Sequence, residues 1–231
     1  METRNYHGRE LFLFSNSELT DPATWSSVDA ALLPHFLLVL WWTENFLTKP
    51  NKDLGRAGPV CPFAGPSLER RLFWLTAVRG AEPDREMLEQ TVMGYRDWFC
   101  EIPAQTADDA QYKTILILLP EITSDKFVSI IDATQKKLKP AFLQEQLMIG
   151  QFHSRCEESG VQNRAFRPLK SPVPMLVIRY MTSGDIVFMK DDDGEYNPDF
   201  LSTYLKTFGK GLPKVLLSDI QGLLTKGKQG N

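Results

Sequence analysis

The chain has 231 residues, of which 42% are hydrophobic and 24% are charged. This is the composition of a globular protein that is long enough to bury a sizeable core. Its 26 basic and 29 acidic side chains give a net charge of −3, which excludes the strongly basic composition typical of nucleic-acid-binding proteins.

The first half of the chain is predicted to contain an arm, a helix and a loop. Residues 1–25 have no clear periodicity and are expected to form an irregular arm. Ser26 or Ser27 is a suitable cap for a helix that runs to about Leu47. Residues 51–67 carry the densest run of Gly and Pro in the chain, which predicts a loop.

The second half alternates between strand and helix patterns. The run Ile115–Leu119 is continuously apolar, as expected of a strand that is buried on both faces. The other predicted elements are strands over 71–79, 144–152 and 175–181, and helices within 82–102, 124–138, 196–209 and 213–227. This order predicts a single domain over residues 1–231 of the α/β or α+β class. Its mixed sheet of four or five strands would pack against helices, with residues 1–50 as an N-terminal arm and helix. If the strands over 71–79 and 144–152 are neighbours, the Gly/Pro loop before the first and the segment after the second meet at one edge of the sheet.

Two features predict the compartment. The three cysteines have no paired spacing, and the N-terminal stretch "METRNYHGRE" is polar, so we expect a reducing, cytoplasmic environment without disulfides. The apolar segment "ALLPHFLLVLWW" is too short to span a membrane and is interrupted by Pro34 and His35. It is predicted to be a buried helix, which could also form the face of a homodimer.

The stretch "LMIGQFHSRCEESG" places His153 and Cys156 at the end of a predicted strand. A neutral imidazole can bind iron, zinc or copper, and it can also act as a general base. Cys61, in "GPVCPFAG", could present a thiolate to haem or pack under its loop. His153, Cys156 and Cys61 could also form part of a zinc site, although zinc normally has four ligands.

Arginines follow His153 in the segment "NRAFRPLKSPVP". Arg164, Arg167 and, on the next predicted strand, Arg179 could bind haem propionates, a carboxylate substrate or a phosphate. They could equally be solvated side chains that pair with Glu157 and Glu158.

Two segments together resemble the YqcI/YcgG family, several members of which are haem-dependent N-oxygenases. These segments are "VCPFAG" and "IGQFHSRC…NRAFRPLKSPVPMLVIRY", and the resemblance covers roughly residues 55–190. It departs from the family pattern at Ser154, where the family has a proline, and in the spacing from Gly150 to His153.

The resemblance implies a haem b enzyme that oxidises the nitrogen of a small amine or amino acid in natural-product biosynthesis. His153 would be the axial ligand of the iron, and its other ring nitrogen would need a carbonyl or carboxylate partner. Arg164, Arg167 and Arg179 would neutralise the propionates, and Cys61 and Phe63 would lie near the haem. An external electron donor or peroxide is implied as well. The alternative is a non-catalytic protein that binds a small ligand or a partner.

Overall fold

The computed structural model describes residues 1–104, 106–191 and 194–227. The strands of this part are β1 (Glu2–Tyr6), β2 (Arg9–Ser15), β3 (Phe73–Ala77), β4 (Thr114–Leu118), β5 (Leu147–Phe152) and β6 (Met175–Tyr180). Its α-helices are α1 (Asn16–Leu19), α2 (Leu33–Trp42), α3 (Ala64–Glu69), α4 (Arg85–Glu101), α5 (Ala133–Gln144), α6 (Pro198–Phe208) and α7 (Lys214–Gly227). Two π-helical turns span Thr43–Leu47 and Phe127–Asp132, and short 3-10 turns span Pro22–Ser27, Lys52–Leu54, Ala110–Tyr112, Ser183–Phe188 and Gly209–Gly211.

The strands form one mixed sheet in the order β1-β2-β3-β4-β6-β5. β3 and β4 are parallel, whereas β6 runs antiparallel to β4 and pairs Met175 with Leu118. The amide of Met181, directly after β6, donates to the carbonyl of Gln146, directly before β5, over 2.8 Å. The start of β5 therefore lies beside the end of β6. The two strands are antiparallel, so the end of β5 lies beside the start of β6. The predicted class, a mixed α/β sheet packed with helices, is confirmed, but the sheet has six strands rather than four or five.

The N-terminal segment, predicted to be an irregular arm, is instead a hairpin at the edge of this sheet. Leu11 and Leu13 alternate with more exposed neighbours and are buried. The turn between the strands has positive φ at both His7 and Gly8, which is the twist that two-residue hairpin loops require. The prediction of an irregular arm was wrong, because the dipeptide His7-Gly8 forms a hairpin turn that pairs Tyr6 with Arg9.

Helices cover both faces of the sheet. Phe36 and Val39 of α2 pack on one face against Leu75 and Leu118. Tyr95 of α4 lies on the other face, where its hydroxyl bonds to Thr76. β4 is buried along nearly its whole length, as its continuous apolar run predicted.

Three predicted boundaries differ clearly from the structure. The helix expected to be capped by Ser26 or Ser27 begins only at Leu33, because both serines lie within the preceding 3-10 turn. α3 begins at Ala64, inside the predicted loop. Pro140 lies inside α5, where it was expected to end the helix.

Leu38 and Trp41 of α2 are exposed, the latter to 61%. They lie three positions apart on one side of the helix, and the homodimer face expected on this segment stays a prediction. None of the helices in the described ranges combines the length and apolar character needed to cross a membrane.

The chain divides into two compact units. The larger unit comprises residues 1–138 and 149–180 and contains the residues of the candidate site. The smaller comprises 139–148 and 181–231. The core of the smaller unit is formed by Leu143, Met148, Met181, Met189, Leu201, Tyr204 and Ile220.

Candidate functional site

His153 lies directly after β5, at the edge of the sheet where β4 ends and β6 begins. Its side chain is 1% exposed. Its ring lies 4.8 Å from the ring of Phe127, measured between centroids. A fully buried imidazole needs partners for its polar nitrogens, because an unpaired polar group in a protein interior is costly.

One nitrogen has such a partner in Asp132. The Nε2 atom of His153 lies 2.8 Å from Oδ1 of Asp132. Both Asp132 and Phe127 belong to the π turn that precedes α5. Such turns hold one more residue than a regular helical turn, are rare, and occur frequently at functional sites.

The other nitrogen has no partner. Nδ1 of His153 is buried and forms no hydrogen bond with any residue that the structure describes. Since an ionised carboxylate can only accept, the proton of the neutral ring lies on Nε2 and the lone pair lies on Nδ1. This site therefore has a nitrogen free to accept a proton or bind a metal.

A row of aromatic rings lies on the other face of the sheet. Phe152 precedes His153 and therefore points to the opposite face, where its ring is 6.1 Å from that of Trp42. The row continues through Phe46, on the first π turn, to Phe166 in the arginine segment. The hydroxyl of Thr43, in the same turn, is also buried without a partner among the described residues.

The Gly/Pro loop and the arginine segment contact one another. The side-chain amide of Asn163 donates to the carbonyl of Asp53 over 2.7 Å. Gly55 has a φ of +81° and lies so close that a Cβ atom would approach Cβ of Gln162 to 3.0 Å. The two loops meet even though β3 and β5 are not neighbours in the sheet.

The basic side chains of this segment are partly committed to Glu157. Arg167 and Lys170 both form ion pairs with it, and the pKa of Glu157 is lowered, mainly by the hydrogen bond from Lys170. Arg164 is exposed, and its carbonyl accepts a hydrogen bond from Arg167.

Two predicted haem contacts lie at the opposite edge of the sheet. Arg179 pairs with Thr114 at the start of β4, and its side chain donates to the carbonyl of Tyr180. The ring of Phe63 lies 6.2 Å from that of Tyr112, which precedes β4. The structure therefore does not bring Arg179 and Phe63 next to His153.

Cys61, Cys100 and Cys156 are free thiols. Cys61 is half-buried against the aromatic face, and its amide donates to the carbonyl of Leu47. Cys156 is buried near His153, and burial raises the pKa of its thiol, which disfavours the thiolate that zinc requires. Across residues 1–104, 106–191 and 194–227, no three His, Cys, Asp or Glu side chains come together in a metal-binding group.

These residues fit a haem iron in part. The buried, unpaired Nδ1 of His153 is a suitable donor, and Asp132 supplies the carboxylate partner expected behind a metal-bound histidine. Arg164 and Arg167 follow His153 in the sequence, but their segment contacts Phe46 and Asp53. Arg179 and Phe63 do not belong to this set.

Sequence reasoning missed Asp132 and Phe127. They precede His153 by 21 and 26 positions, in a segment predicted as an ordinary helix. The sequence signal for Asp132 was an acidic residue directly after Ile131, on an otherwise apolar stripe of the predicted helix. Nothing in the sequence indicated that a π turn would aim that residue at the histidine.

Comparisons with known proteins gave one match. The sequence model of a family described as "Domain of unknown function (DUF6875)" matches residues 37–219. Neither the curated proteins nor the solved structures contain a match. Since the match covers most of the chain, this protein belongs to the DUF6875 family.

Proposed function

We propose that this chain is a haem-dependent enzyme of the oxygenase type, with His153 as the axial ligand. The observation that carries the proposal is the unpaired Nδ1 of a buried histidine whose other nitrogen is held by a carboxylate. The resemblance of "VCPFAG" and "IGQFHSRC" to a family with haem-dependent members supports the same chemistry.

Each residue of the proposed site has a defined role. Asp132 holds the ring orientation and makes Nδ1 a stronger donor, because its negative charge stabilises the positive charge that develops on the ring. Phe127 covers one side of the ring and excludes water. Arg164 offers an exposed guanidinium for a propionate, whereas Arg167 would have to exchange its ion pair with Glu157.

The haem, when bound, supplies the oxidation chemistry, and the protein supplies orientation and a dry site. The proposed substrate is a small amine or amino acid that is oxidised at nitrogen, as a step in natural-product biosynthesis. Electrons would come from an external donor if oxygen is the oxidant, whereas peroxide needs no donor.

The visible spectrum tests this proposal. Protein expressed with a haem supply should show a Soret band that is lost in His153→Ala and retained in the control His35→Ala. Because His153 is buried, circular dichroism must show that the variant folds. The variant His153→Gly, with added imidazole to restore the band, provides a second route.

Three results would contradict the proposal. These are folded protein that takes up no haem, a band unchanged in folded His153→Ala, and a band lost only in Cys61→Ala. The last result would favour the thiolate as ligand.

A second function is favoured by the same pair of residues. A histidine with Nε2–H on a carboxylate and a lone pair on Nδ1 is arranged as a general base. In that case the chain would bind no haem, and His153→Ala would abolish activity in folded, haem-free protein.

A further inference from the structure

The sheet opens between β2 and β3. These strands pair only at Phe14 with Leu75 and at Ser15 with Trp74. Towards the start of β2 and the end of β3 there is no further pairing between the two strands. The backbone groups of Phe12 therefore need partners other than β3.

Tyr95 of α4 supplies these partners. Its hydroxyl accepts from the amide of Phe12 over 3.4 Å and donates to the carbonyl of Phe12 over 3.3 Å. It also lies 2.6 Å from Oγ1 of Thr76 on β3. One hydroxyl has one proton and two lone pairs, so all three contacts can form together. Tyr95 thus bridges the two strands without closing the sheet.

A cleft of about 230 Å³ occupies this opening. Its lining residues are Arg9, Glu10, Leu11, Phe12, Ala77, Val78, Arg79, Met87, Thr91 and Tyr95. Leu11, Val78 and Met87 give it apolar walls. The cleft lies at the carboxyl end of β3, and ligands of open α/β sheets bind beyond the carboxyl ends of the strands.

Charged side chains line the same cleft. Arg79 is held in two ion pairs, with Asp29 and with Glu121, at 2.6 Å each. Arg9 is half-buried and forms no side-chain hydrogen bond or ion pair with any described residue. Glu10, the next residue, adds one negative charge.

We infer that this cleft binds a small monocarboxylate with an apolar body. The apolar part would lie on Leu11, Val78 and Met87, and the carboxylate would bind the guanidinium of Arg9, whose planar fork suits it. A single unpaired arginine beside Glu10 balances one negative charge and disfavours a phosphate. The cleft is smaller than typical pockets of about 300–1,000 Å³, so the ligand is smaller than a drug-sized molecule. This site is distinct from the histidine site and does not rest on haem binding.

Benzoate is a suitable probe, with neutral benzamide as the matched control compound. Amide resonances of the cleft residues should shift on titration with benzoate and saturate. Arg9→Gln should weaken binding about tenfold or more, since a charge-assisted contact is lost. Arg4→Gln is the control variant, because Arg4 lies on neighbouring β1 but pairs with Glu101 outside the cleft. Met87→Trp should block binding by filling the cleft, whichever group of the ligand is recognised.

The inference fails if benzamide binds as tightly as benzoate, or if Arg9→Gln leaves the affinity unchanged. It also fails if benzylamine binds in preference to benzoate, which would assign recognition to Glu10. The absence of saturable shifts in the cleft amides with benzoate would overturn it as well.

Discussion

Nε2 of His153 lies 2.8 Å from Oδ1 of Asp132, although 21 positions separate the two residues in the chain. One strand end and one π turn thereby hold a single imidazole in a fixed orientation. The contact leaves Nδ1 without a hydrogen-bond partner among the described residues, and the first prediction concerns this pair.

Replacing Asp132 with Asn should keep an acceptor for Nε2–H but remove the negative charge. In the proposed haem enzyme, haem affinity should then fall about 10–100-fold, which is the usual effect of losing a carboxylate behind a metal-bound histidine. Haem titration measures the affinity, and the ¹⁵N shifts of the imidazole of His153 report its protonation independently. Asp125→Asn, in the same connecting segment, is the control and should change neither quantity. Equal affinities in Asp132→Asn and the native protein would remove Asp132 from the site.

Lys113 gives a prediction for pH. Its ammonium group is buried, donates to the carbonyls of Phe99 and Ile102 at 2.7 Å each, and has its pKa lowered by burial. Between the lowered pKa and the ordinary value of 10.5, the unfolded chain binds more protons than the folded one. The stability contributed by this group therefore rises with pH across that window.

The comparison of native protein with Lys113→Met isolates this effect. The difference in their free energies of unfolding should shift in favour of the native protein as the pH rises towards 10.5. Urea unfolding at several alkaline pH values measures it. Lys137→Met, at an exposed position of α5, is the control. A pH-independent difference for Lys113→Met would show that the ammonium is not destabilised by burial.

The contact between the two loops can be tested with a pair of glycines. Gly55 and Gly58 both have positive φ, at +81° and +89°, so alanine should cost about 1–2 kcal/mol of backbone strain at either position. Only at Gly55 does a Cβ atom approach the arginine segment, since the nearest atom at Gly58 is Nη1 of Arg56 at 3.6 Å.

Gly55→Ala should therefore be the more destabilising variant in urea unfolding. It should also increase hydrogen exchange in residues 160–167, whereas Gly58→Ala should not. Identical exchange in this segment in the two variants would mean that the loops do not support each other.

Packing of α4 on the N-terminal hairpin gives the last prediction. A Cβ atom at Gly94 would lie 2.8 Å from Cδ1 of Tyr6 and 2.9 Å from Cδ1 of Leu11. The ring of Tyr6 is held by Asp97 through its hydroxyl, so it cannot move aside without losing that bond. Gly94→Ala should lower stability by about 1–3 kcal/mol through overpacking, despite the helix preference of alanine.

The matched control is Gly222→Ala in α7, where no described atom outside the adjacent helix backbone lies within 4 Å of the added Cβ. Alanine should stabilise that helix by about 0.5–1 kcal/mol. Thermal unfolding of both variants checks the signs. A stabilising Gly94→Ala would show that the hairpin packs loosely on α4.

The local pattern of apolar residues was sufficient to predict much of the fold. The apolar run of β4 and the helical spacing in α4 gave both elements close to their observed bounds, because burial on both faces or on one stripe leaves a direct trace in sequence. The position of His153 after a strand followed from the same reasoning. The hairpin of β1 and β2 was missed because its turn depends on two residues with positive φ.

The partners of His153 were beyond such reasoning. Asp132 belongs to the π turn before α5, whereas His153 follows β5. No pattern in the sequence indicates that these two elements meet. The direction of Asp132 depends on a π turn, which has no distinct periodicity signal in so short a segment. Arg179 was assigned to the site from order along the chain, but the antiparallel register of β4 and β6 places it at the other edge of the sheet.

The π turn at Phe127–Asp132 also makes the site depend on chain length. A helix that lost one residue there could return to regular hydrogen bonding with little damage to its core. Each residue turns an α-helix by about 100°, so the carboxylate of Asp132 would then point away from the imidazole. A family member that keeps both the histidine and the aspartate, but is one residue shorter in this segment, would lack the pair.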